Sequence, residues 1–309
     1  MAVDPHVSRL LEKLGALGSR SAVLTVEERR HALEHLLSFA GLQEPVGRVE
    51  ERRLPGPAGP LRARVYTPAD ARSPVLPPLL YFHGGGLVAG GLDTHDGIAR
   101  SLANASGCRL ISLDYRLAPE HPFPAAIEDG CAALAWVGAH ASELRVDPDR
   151  LVVGGDSAGA TLAAVICQMR APSEARPLLQ FLLCPILDVA AETDSRRDFG
   201  EGYLLDRGTL DHDVRHYLLP GADLADPRIS PLRARQVAGL PPACIHTAEL
   251  DPVRDEGRAY AERLQSAGVR TLYRDHSGMI HLFYGLGSLI PYAAAAYRMM
   301  GADIRSMLG

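Results

Sequence analysis

The sequence of 309 residues has no excess of positive charge and no long apolar run. Its 32 Lys and Arg residues are outnumbered by 37 Asp and Glu residues, which gives a formal net charge of −5. A basic face of the kind that binds a nucleic-acid backbone is not expected from this balance. No window approaches the roughly 20 apolar residues of a membrane span, and the N-terminus does not resemble a secretory signal. We therefore expect a cytoplasmic protein with neither nucleic acid nor a membrane among its partners.

Cysteine is also scarce, and its spacing carries no metal-binding pattern. The five cysteines lie far apart in apolar surroundings, at Cys108, Cys131, Cys167, Cys184 and Cys244. They form no C-x-x-C pair and have no histidine at the spacing of a metal site. The sequence likewise lacks the G-x-G-x-x-G and Gly-Lys-Ser/Thr patterns of phosphate-binding loops. We expect buried, reduced thiols and neither a metal nor an organic cofactor.

The chain does contain a repeated alternation of apolar strand-like runs and helical segments. Seven runs predict strands: LRARVYTP, LLYFHG, CRLISLDYRL, LVVGGD, LLQFLLCPILD, ACIHTAELD and VRTLYRDH. Helices are predicted between them and after the last, at about 98–106, 125–140, 158–169, 255–267 and 291–307. This alternation predicts an α/β fold with a mostly parallel sheet and helices on both faces.

Two further helical regions do not fit the alternation. Residues 1–45 contain two amphipathic stretches, and Thr25 is the predicted N-cap of the second. Residues 190–225 again have a helical pattern with polar loops and follow a predicted strand. We expect these two regions to form a cap over one end of the sheet, with 46–189 and 226–309 as the core.

Ser157 stands where a predicted strand meets a predicted helix. A serine hydroxyl is a weak nucleophile, so a hydrolase must expose it, deprotonate it and stabilise the anion that its attack creates. The spacing Gly155-x-Ser157-x-Gly159 after a strand is typical of a strained turn that presents a nucleophile. The amide of Ala158, at the start of the helix, would then face the developing oxyanion. An ordinary glycine-rich turn is the alternative interpretation.

A second glycine-rich segment, YFHGGGLVAGG, follows another predicted strand. Its three consecutive glycines, residues 84–86, leave backbone amides free to bind a developing negative charge. A phosphate-binding loop and a simple tight turn are the alternatives, and the phosphate-loop patterns are missing. We expect an oxyanion-binding loop next to the serine.

An acid and a histidine should follow the serine along the chain, each after a later strand. Asp251 ends an apolar run and is the first candidate for the acid, with Asp255 and Asp188 as alternatives. Two histidines, His276 and His281, follow the last predicted strand. His276 comes directly after it, whereas His281 lies farther along the expected loop.

Taken together, these segments resemble the bacterial esterases related to hormone-sensitive lipase, within the α/β-hydrolase superfamily. The resemblance runs from about Leu61 to the C-terminus. It rests on HGGG, DYRLAPEHPFPAA, GDSAG, DPVRDEG and a late histidine before an aromatic residue. It implies an α/β-hydrolase fold with a mostly parallel eight-stranded sheet, helices on both faces and a helical cap.

The resemblance implies that Ser157 is the nucleophile, Asp251 the acid and His281 the base. It implies a serine carboxylesterase without a cofactor. Because a helical cap covers the pocket, the expected substrates are small, soluble esters with short to medium acyl chains. An amidase or deacetylase with the same three residues is one alternative. A non-catalytic receptor on the same fold is the other, although such receptors have usually lost the base that His281 supplies here.

Six further residues match the motifs around the serine. The implied oxyanion donors are the amides of Gly85, Gly86 and Ala158. His83 and Gly84 would support the loop, and Asp156 is typical of the motif without joining the proton transfer. The resemblance also implies a possible homodimer through the last strand, although the alternating charge of VRTLYRDH is equally typical of a protected edge facing solvent.

Overall fold

A single eight-stranded sheet forms the centre of the protein. The computed structural model describes residues 3–16, 25–169 and 176–309. The strands are β1 (Arg48–Gly56), β2 (Gly59–Thr67), β3 (Pro78–Phe82), β4 (Arg109–Asp114), β5 (Val152–Asp156), β6 (Leu179–Leu183), β7 (Ala243–Leu250) and β8 (Thr271–Ile280). Their order is β1-β2-β4-β3-β5-β6-β7-β8, and every pair is parallel except β1 with β2 and β2 with β4. The predicted mostly parallel sheet is confirmed.

Ten α-helices in the described ranges surround this sheet. They are α1 (Pro5–Ala16), α2 (Val26–Ala40), α3 (Asp96–Ser106), α4 (Ala125–Ala139), α5 (Ala141–Leu144), α6 (Ala158–Met169), α7 (Asp194–Phe199), α8 (Arg207–Tyr217), α9 (Arg254–Ser266) and α10 (Tyr292–Leu308). None of the helices in the described part of the chain is long and apolar enough to cross a membrane.

The sheet separates two hydrophobic cores. Along β3, Leu79 and Tyr81 belong to one core, and Leu80 and Phe82 to the other. The first core also contains side chains of α3 and α10, and the second contains side chains of α4, α6 and α9. Because helices cover both faces, β3, β5 and β6 are buried along their whole length, as expected of central parallel strands.

The sequence prediction missed β1. This strand, RVEERRLPG, is mostly exposed and contains five charged residues. It pairs with β2 at the outer edge of the sheet, where charged side chains protect an edge from pairing with other chains. A strand without an apolar face gives no alternating pattern, which explains why it was missed.

Four helices lie in the two regions that were expected to form a cap. Helices α1 and α2 belong to the N-terminal region, and Thr25 caps α2 in a capping box with Glu28, as predicted. Helices α7 and α8 belong to the region after β6. The two regions meet at an ion pair between Arg29 of α2 and Asp213 of α8, with 3.0 Å between Nη2 and Oδ2.

All five cysteines are free thiols, as expected from their spacing. Four of them are buried, and Cys131 is half-buried.

Candidate active site

Ser157 lies in a tight turn between β5 and α6. Its backbone is in the left-handed region, at φ +54°, and its amide donates to the carbonyl of Leu183 at 2.8 Å. A Cβ on Gly159 would lie 2.1 Å from the carbonyl oxygen of Phe82, and a Cβ on Gly155 would also clash with backbone. The small residues on either side are therefore required by the close approach of strand and helix.

Asp251, His281 and Ser157 form a continuous hydrogen-bonded series. The Oδ2 atom of Asp251 is 2.7 Å from Nδ1 of His281, and Nε2 of His281 is 3.0 Å from Oγ of Ser157. All three side chains are buried. Because the carboxylate accepts from Nδ1, the neutral imidazole can accept a proton at Nε2. The amide of Val253 also donates to Asp251, at 3.0 Å, which fixes the carboxylate.

The alternative base, His276, is engaged elsewhere. Its Nε2 is 3.0 Å from Nδ1 of His246, and its Nδ1 is 3.0 Å from the hydroxyl of Tyr292. Burial, with a smaller contribution from Arg274, lowers the pKa of His276 to about 4. The prediction that His276 follows the last strand was wrong, because β8 includes His276 and continues to Ile280 past an irregularity in its pairing with β7.

The last four residues of β8, which the sequence prediction missed, determine which histidine reaches the serine. His281 directly follows the strand, at the carboxyl edge of the sheet, and does not lie on a long loop. His276 lies within the strand and is buried.

The alternative acids are also paired with other groups. Asp255, in the first turn of α9, accepts from the amide of Ser195 at 2.9 Å and pairs with Arg254. Asp188 pairs with Arg233 at 2.9 Å. Of the three candidate acids, Asp251 is the one bonded to His281.

The glycine loop after β3 is tightly turned beside the serine. Gly85 and Gly86 have φ values of +116° and +69°, and the carbonyl of Gly85 accepts from the amide of Ala89 at 2.9 Å. Gly85, Gly86 and Ala158 line the same cavity as Ser157. Ala158 is the first residue of α6, so its amide has no acceptor within the helix.

Asp156 connects the glycine loop to the turn that holds the serine. Its fully buried carboxylate accepts from the hydroxyl of Tyr81 at 2.5 Å, the amide of Gly84 at 2.9 Å and the hydroxyl of Tyr284 at 3.0 Å. Burial alone would raise the pKa of Asp156, but His95 and these hydroxyl groups outweigh burial and lower it. The carboxylate is therefore engaged in holding backbone and is not bonded to His281.

His83 holds the same loop from behind. Its Nδ1 lies 2.8 Å from the carbonyl oxygen of Gly84, and its ring stacks on Tyr115 with 4.3 Å between centroids. Burial, followed by the nearby His95, lowers the pKa of His83 to about 3. The ring is thus neutral over the ordinary pH range. Of the other histidines expected to pack or lie on the surface, His95 is buried and His121 is exposed.

Sequence reasoning missed Arg30, which joins α2 to the glycine loop. Its Nε donates to the carbonyl of Val88 at 2.9 Å, and its Nη2 donates to the carbonyl of Ala118 at 3.1 Å. The same guanidinium binds both carboxylate oxygens of Glu120, at 2.8 and 2.6 Å. No motif could have revealed this role, because an arginine on an amphipathic helix usually faces solvent.

The nine predicted site residues are thus distributed over two layers. Ser157, His281, Gly85, Gly86 and Ala158 line a cavity of about 1560 Å³. Asp251, His83 and Gly84 do not line the cavity and lie behind it: Asp251 is bonded to His281, and His83 is bonded to Gly84. Asp156 is bonded to Gly84 and also lines the cavity. Helices α1, α2 and α8 supply much of the remaining wall.

A metal does not suit the cluster behind the serine. One atom each from Cys184, Asp251 and His281 lie within 4.8 Å of one another, close enough to share an ion. However, burial and the adjacent Asp251 raise the pKa of Cys184 well above its usual value, and metal binding requires the thiolate. His281 is also bonded through both nitrogens, to Asp251 and Ser157. The donor set fits proton transfer better than metal ligation.

Comparison with known proteins places this chain in a family. A family model described as alpha/beta hydrolase fold matches residues 79–285. The carboxylesterase NlhH of Mycobacterium tuberculosis is 39% identical over 301 residues, which cover 95% of this chain and 92% of that protein. The chain belongs to the hormone-sensitive-lipase-like carboxylesterases of the α/β-hydrolase fold. It is a carboxylic ester hydrolase, as the resemblance implied.

Two further proteins match this esterase over nearly its whole length. The ethyl acetate hydrolase of Pseudomonas putida is 36% identical over 304 residues, which cover 95% of each chain. The ester hydrolase EH1AB1 from the Lake Arreo metagenome, solved in complex with a derivative of bipyridine phosphonate, has a TM-score of 0.94. It is 41% identical, with 99% of each chain covered. The predicted α/β-hydrolase fold is confirmed.

Proposed function

We propose that this esterase is a serine carboxylesterase that works through an acyl-enzyme. Ser157 is the nucleophile, His281 the general base and Asp251 the acid that orients the base. The observation that carries the proposal is the unbroken series of hydrogen bonds, 2.7 Å from Asp251 to His281 and 3.0 Å from His281 to Ser157.

In this mechanism His281 takes the proton of Ser157 as the serine oxygen attacks the ester carbonyl carbon. Asp251 stabilises the imidazolium that forms. The amides of Gly85, Gly86 and Ala158 stabilise the oxyanion, each contributing about 3 kcal/mol. His281 then gives the proton to the leaving alcohol, and a water molecule activated by the same histidine hydrolyses the acyl-enzyme.

The proposed substrates are small, soluble esters with short to medium acyl chains. Two observations support this choice: the cavity at Ser157 is walled by helices α2 and α8, and a relative with 95% coverage is named ethyl acetate hydrolase. A series of p-nitrophenyl esters from acetate to palmitate tests it. We expect the highest kcat/KM below about eight acyl carbons, and a maximum at palmitate would refute the proposal.

The same assay separates esterase from amidase. The anilides matched to the best esters should be cleaved far more slowly, and faster cleavage of the anilide would replace the proposal with an amidase.

A phosphonate probe tests the serine mechanism directly. Because a phosphonate ester reacts with an activated serine, one equivalent should label Ser157 and abolish activity, as read by mass spectrometry of the digested protein. Ser157→Ala should remain unlabelled. A folded protein that is not labelled, or is labelled at another residue, would contradict the mechanism.

Three further features are part of the proposal. Residues 1–45 and 190–225 act as the cap, which is supported by the Arg29–Asp213 ion pair between them and by their shared cavity lining. The protein forms a homodimer through β8, which stands at the edge of the sheet, and light scattering should give twice the chain mass. It resides in the cytoplasm, where cell fractionation should find it.

A further inference from the structure

The pairing of β7 with β8 is interrupted just before the proposed base. Ala248 pairs with His276, and the next pair joins Leu250 to Ile280. One residue of β7 lies between these two pairs, whereas three residues of β8, 277–279, lie between them. A bulge of this kind bends a strand and changes the direction of its side chains, and bulges are common next to active sites. The bulge therefore affects where the end of β8 places its side chains.

The two extra residues of β8 bring His281 opposite Asp251. Asp251 directly follows Leu250, the last residue of β7. His281 directly follows Ile280, the pairing partner of Leu250, so the aspartate and the histidine stand side by side on neighbouring parallel strands. If the pairing before the bulge continued, Asp251 would stand opposite Met279 instead. The 2.7 Å hydrogen bond between Asp251 and His281 therefore depends on the bulge.

Glu249, the single residue of β7 opposite the bulge, supplies an acceptor for the bulge backbone. The extra residues of a bulge have no partner in the ladder of backbone hydrogen bonds. Gly278 is buried, and its amide donates to Oε2 of Glu249 at 2.6 Å. Buried amides are nearly always paired, and a carboxylate is a strong acceptor for them. The side chain of Glu249 thus takes the place of the missing ladder bond.

The backbone on both sides of this bond is held by further contacts. The carbonyl of Glu249 accepts from Nη1 of Arg254, the first residue of α9, at 2.9 Å. The carbonyl of Gly278 accepts from the amide of Asp4 at 3.3 Å. Gly278 has a φ of +71°, in the left-handed region that glycine adopts without strain. Glu249 is therefore fixed at its backbone while its carboxylate holds the bulge.

We propose that Glu249 is a positioning residue for the base: by holding the bulge of β8, it keeps the ring of His281 within reach of Ser157. Glu249 is half-buried and does not line the cavity that contains Ser157. Its bond to Gly278 lies three residues before His281, so it acts on the reaction through the strand. The inference rests on the proposed function, since it takes His281 as the general base.

Two substitutions separate the hydrogen bond of Glu249 from its charge. Glu249→Met has a similar length but no acceptor for the amide of Gly278. Glu249→Gln removes the charge but keeps a carbonyl oxygen that can accept. We expect Glu249→Met to lower kcat about tenfold to a hundredfold, because a displacement of about 1 Å in a reacting group has an effect of this order. KM should change little, since the contacts with the substrate are unaltered, and Glu249→Gln should recover most of the lost kcat.

Two measurements on the site itself distinguish positioning from a general loss of stability. Labelling of Ser157 by the phosphonate probe requires the base, so its rate constant should fall in parallel with kcat in folded Glu249→Met. In the proton NMR spectrum, the hydrogen on Nδ1 of His281 that bonds to Asp251 should give a downfield signal, identified by its loss in Asp251→Asn. This signal should weaken or shift in Glu249→Met and return in Glu249→Gln.

Glu50→Met is the matched control. Glu50 is also a half-buried glutamate on a strand, but it lies on β1 at the far edge of the sheet, where it pairs with Arg48 and Arg52. The same substitution there should leave kcat, the labelling rate and the NMR signal unchanged. Glu249→Asp is a second test variant should Glu249→Met not fold. It keeps the charge but is one methylene shorter, so its contact with the amide of Gly278 should weaken and kcat should fall.

Two results would overturn the inference. One is a kcat and a labelling rate equal to those of the wild type in every folded variant among Glu249→Met and Glu249→Asp. The other is an equal loss of kcat in Glu249→Met and Glu249→Gln with an unchanged NMR signal, which would assign the effect to charge alone. Failure of the underlying serine mechanism looks different, because the phosphonate would then fail to label Ser157 in the folded wild type.

Discussion

The position of one carboxylate decides how His281 can act. Asp251 comes directly after β7, and its side chain is held both by the amide of Val253 and by His281. An asparagine at position 251 would face the ring of His281 with either its carbonyl oxygen or its NH₂ group. The NH₂ group would favour the tautomer with the hydrogen on Nε2, which cannot accept the proton of Ser157. The chemistry of the site therefore depends on charge as well as shape.

We predict that Asp251→Asn lowers kcat by about a thousandfold or more with little change in the free energy of unfolding. The reason is that the ring of His281 loses both its fixed tautomer and the charge that stabilises the imidazolium. Steady-state kinetics with a p-nitrophenyl ester measures the effect.

Asp255→Asn is the matched control for this substitution. Asp255 lies four positions along the chain from Asp251 and pairs with Arg254 and the amide of Ser195, not with His281. Its substitution should therefore leave kcat within about tenfold of the wild type. Equal losses in the two variants would remove Asp251 from the mechanism.

A second residue-scale prediction concerns Gly159. A Cβ there would lie 2.1 Å from the carbonyl oxygen of Phe82 and 2.4 Å from that of His83, and backbone atoms of a central strand cannot move aside. Gly159→Ala should therefore lower the free energy of unfolding by at least about 3 kcal/mol and abolish activity. Denaturant titration measures the first quantity.

Gly15→Ala provides the comparison, because a Cβ at that position in α1 meets no described atom within 4 Å. Its stability should equal or exceed that of the wild type by up to about 1 kcal/mol. Normal stability and activity in Gly159→Ala would mean that the turn at Ser157 is looser than described.

At the scale of elements, helix α2 does more than close the cavity. Through Arg30 it contacts the glycine loop at Val88 and the segment after β4 at Ala118 and Glu120. The N-terminal region is thereby linked to the amides that are proposed to bind the oxyanion. We propose that Arg30 is a positioning residue, which would act on the reaction through the loop.

We predict that Arg30→Met lowers kcat by about tenfold to a hundredfold, because a small displacement of the loop weakens its contact with the oxyanion. KM should change less. The inhibition constant of a trifluoromethyl ketone, which binds as an oxyanion adduct, should rise in parallel with the loss in kcat. Arg30→Lys should recover part of both.

Arg197→Met is the control for Arg30→Met. Arg197 lies on α7, where it pairs with Asp194 and Asp198, and it does not line the cavity, so its removal should leave kcat and the inhibition constant unchanged. A change in KM alone for Arg30→Met would show that α2 shapes the pocket without positioning the loop.

The elements also show what sequence patterns can predict. The five helices expected around the sheet begin and end within two residues of the observed bounds, because Gly and Pro mark their ends. The exposed strand β1 and the last four residues of β8 were missed, since neither has the apolar alternation of a half-buried strand. Motif order left alternatives for the acid and the base, and the resemblance to a known family implied the series from Asp251 to Ser157, whereas Arg30 has no local pattern and needed the tertiary structure.

At the scale of the whole molecule, buried histidines connect stability to pH. His246 and His276 bond to each other between β7 and β8. Burial, followed by the neighbouring charges, lowers both pKa values, that of His276 to about 4. In the unfolded chain a histidine titrates near 6.5.

We predict that the free energy of unfolding decreases as the pH falls from 7 to 4. Between these values the unfolded state binds more protons at His276 than the folded state does, so acid favours unfolding. The stabilising contribution of His276 is complete above about pH 6.5 and amounts to about 3 kcal/mol relative to pH 4. Urea titrations at half-unit pH intervals measure it.

His276→Gln should show a shallower decrease over the same range, whatever its stability at pH 7. The amide does not titrate but can still bond to His246 and Tyr292. Identical slopes for the variant and the wild type would show that other groups control acid unfolding.

The carboxylate of Asp156 has a consequence for how this enzyme could diversify. Because it binds Tyr81, Tyr284 and Gly84 from the residue next to Ser157, the proposed nucleophile and the amides proposed to bind the oxyanion are held by the same carboxylate. Selectivity can then be altered in the overlying helices without retuning the reaction. Libraries for directed evolution of new substrate ranges should accordingly vary α2 and α8 and leave the floor of the site untouched.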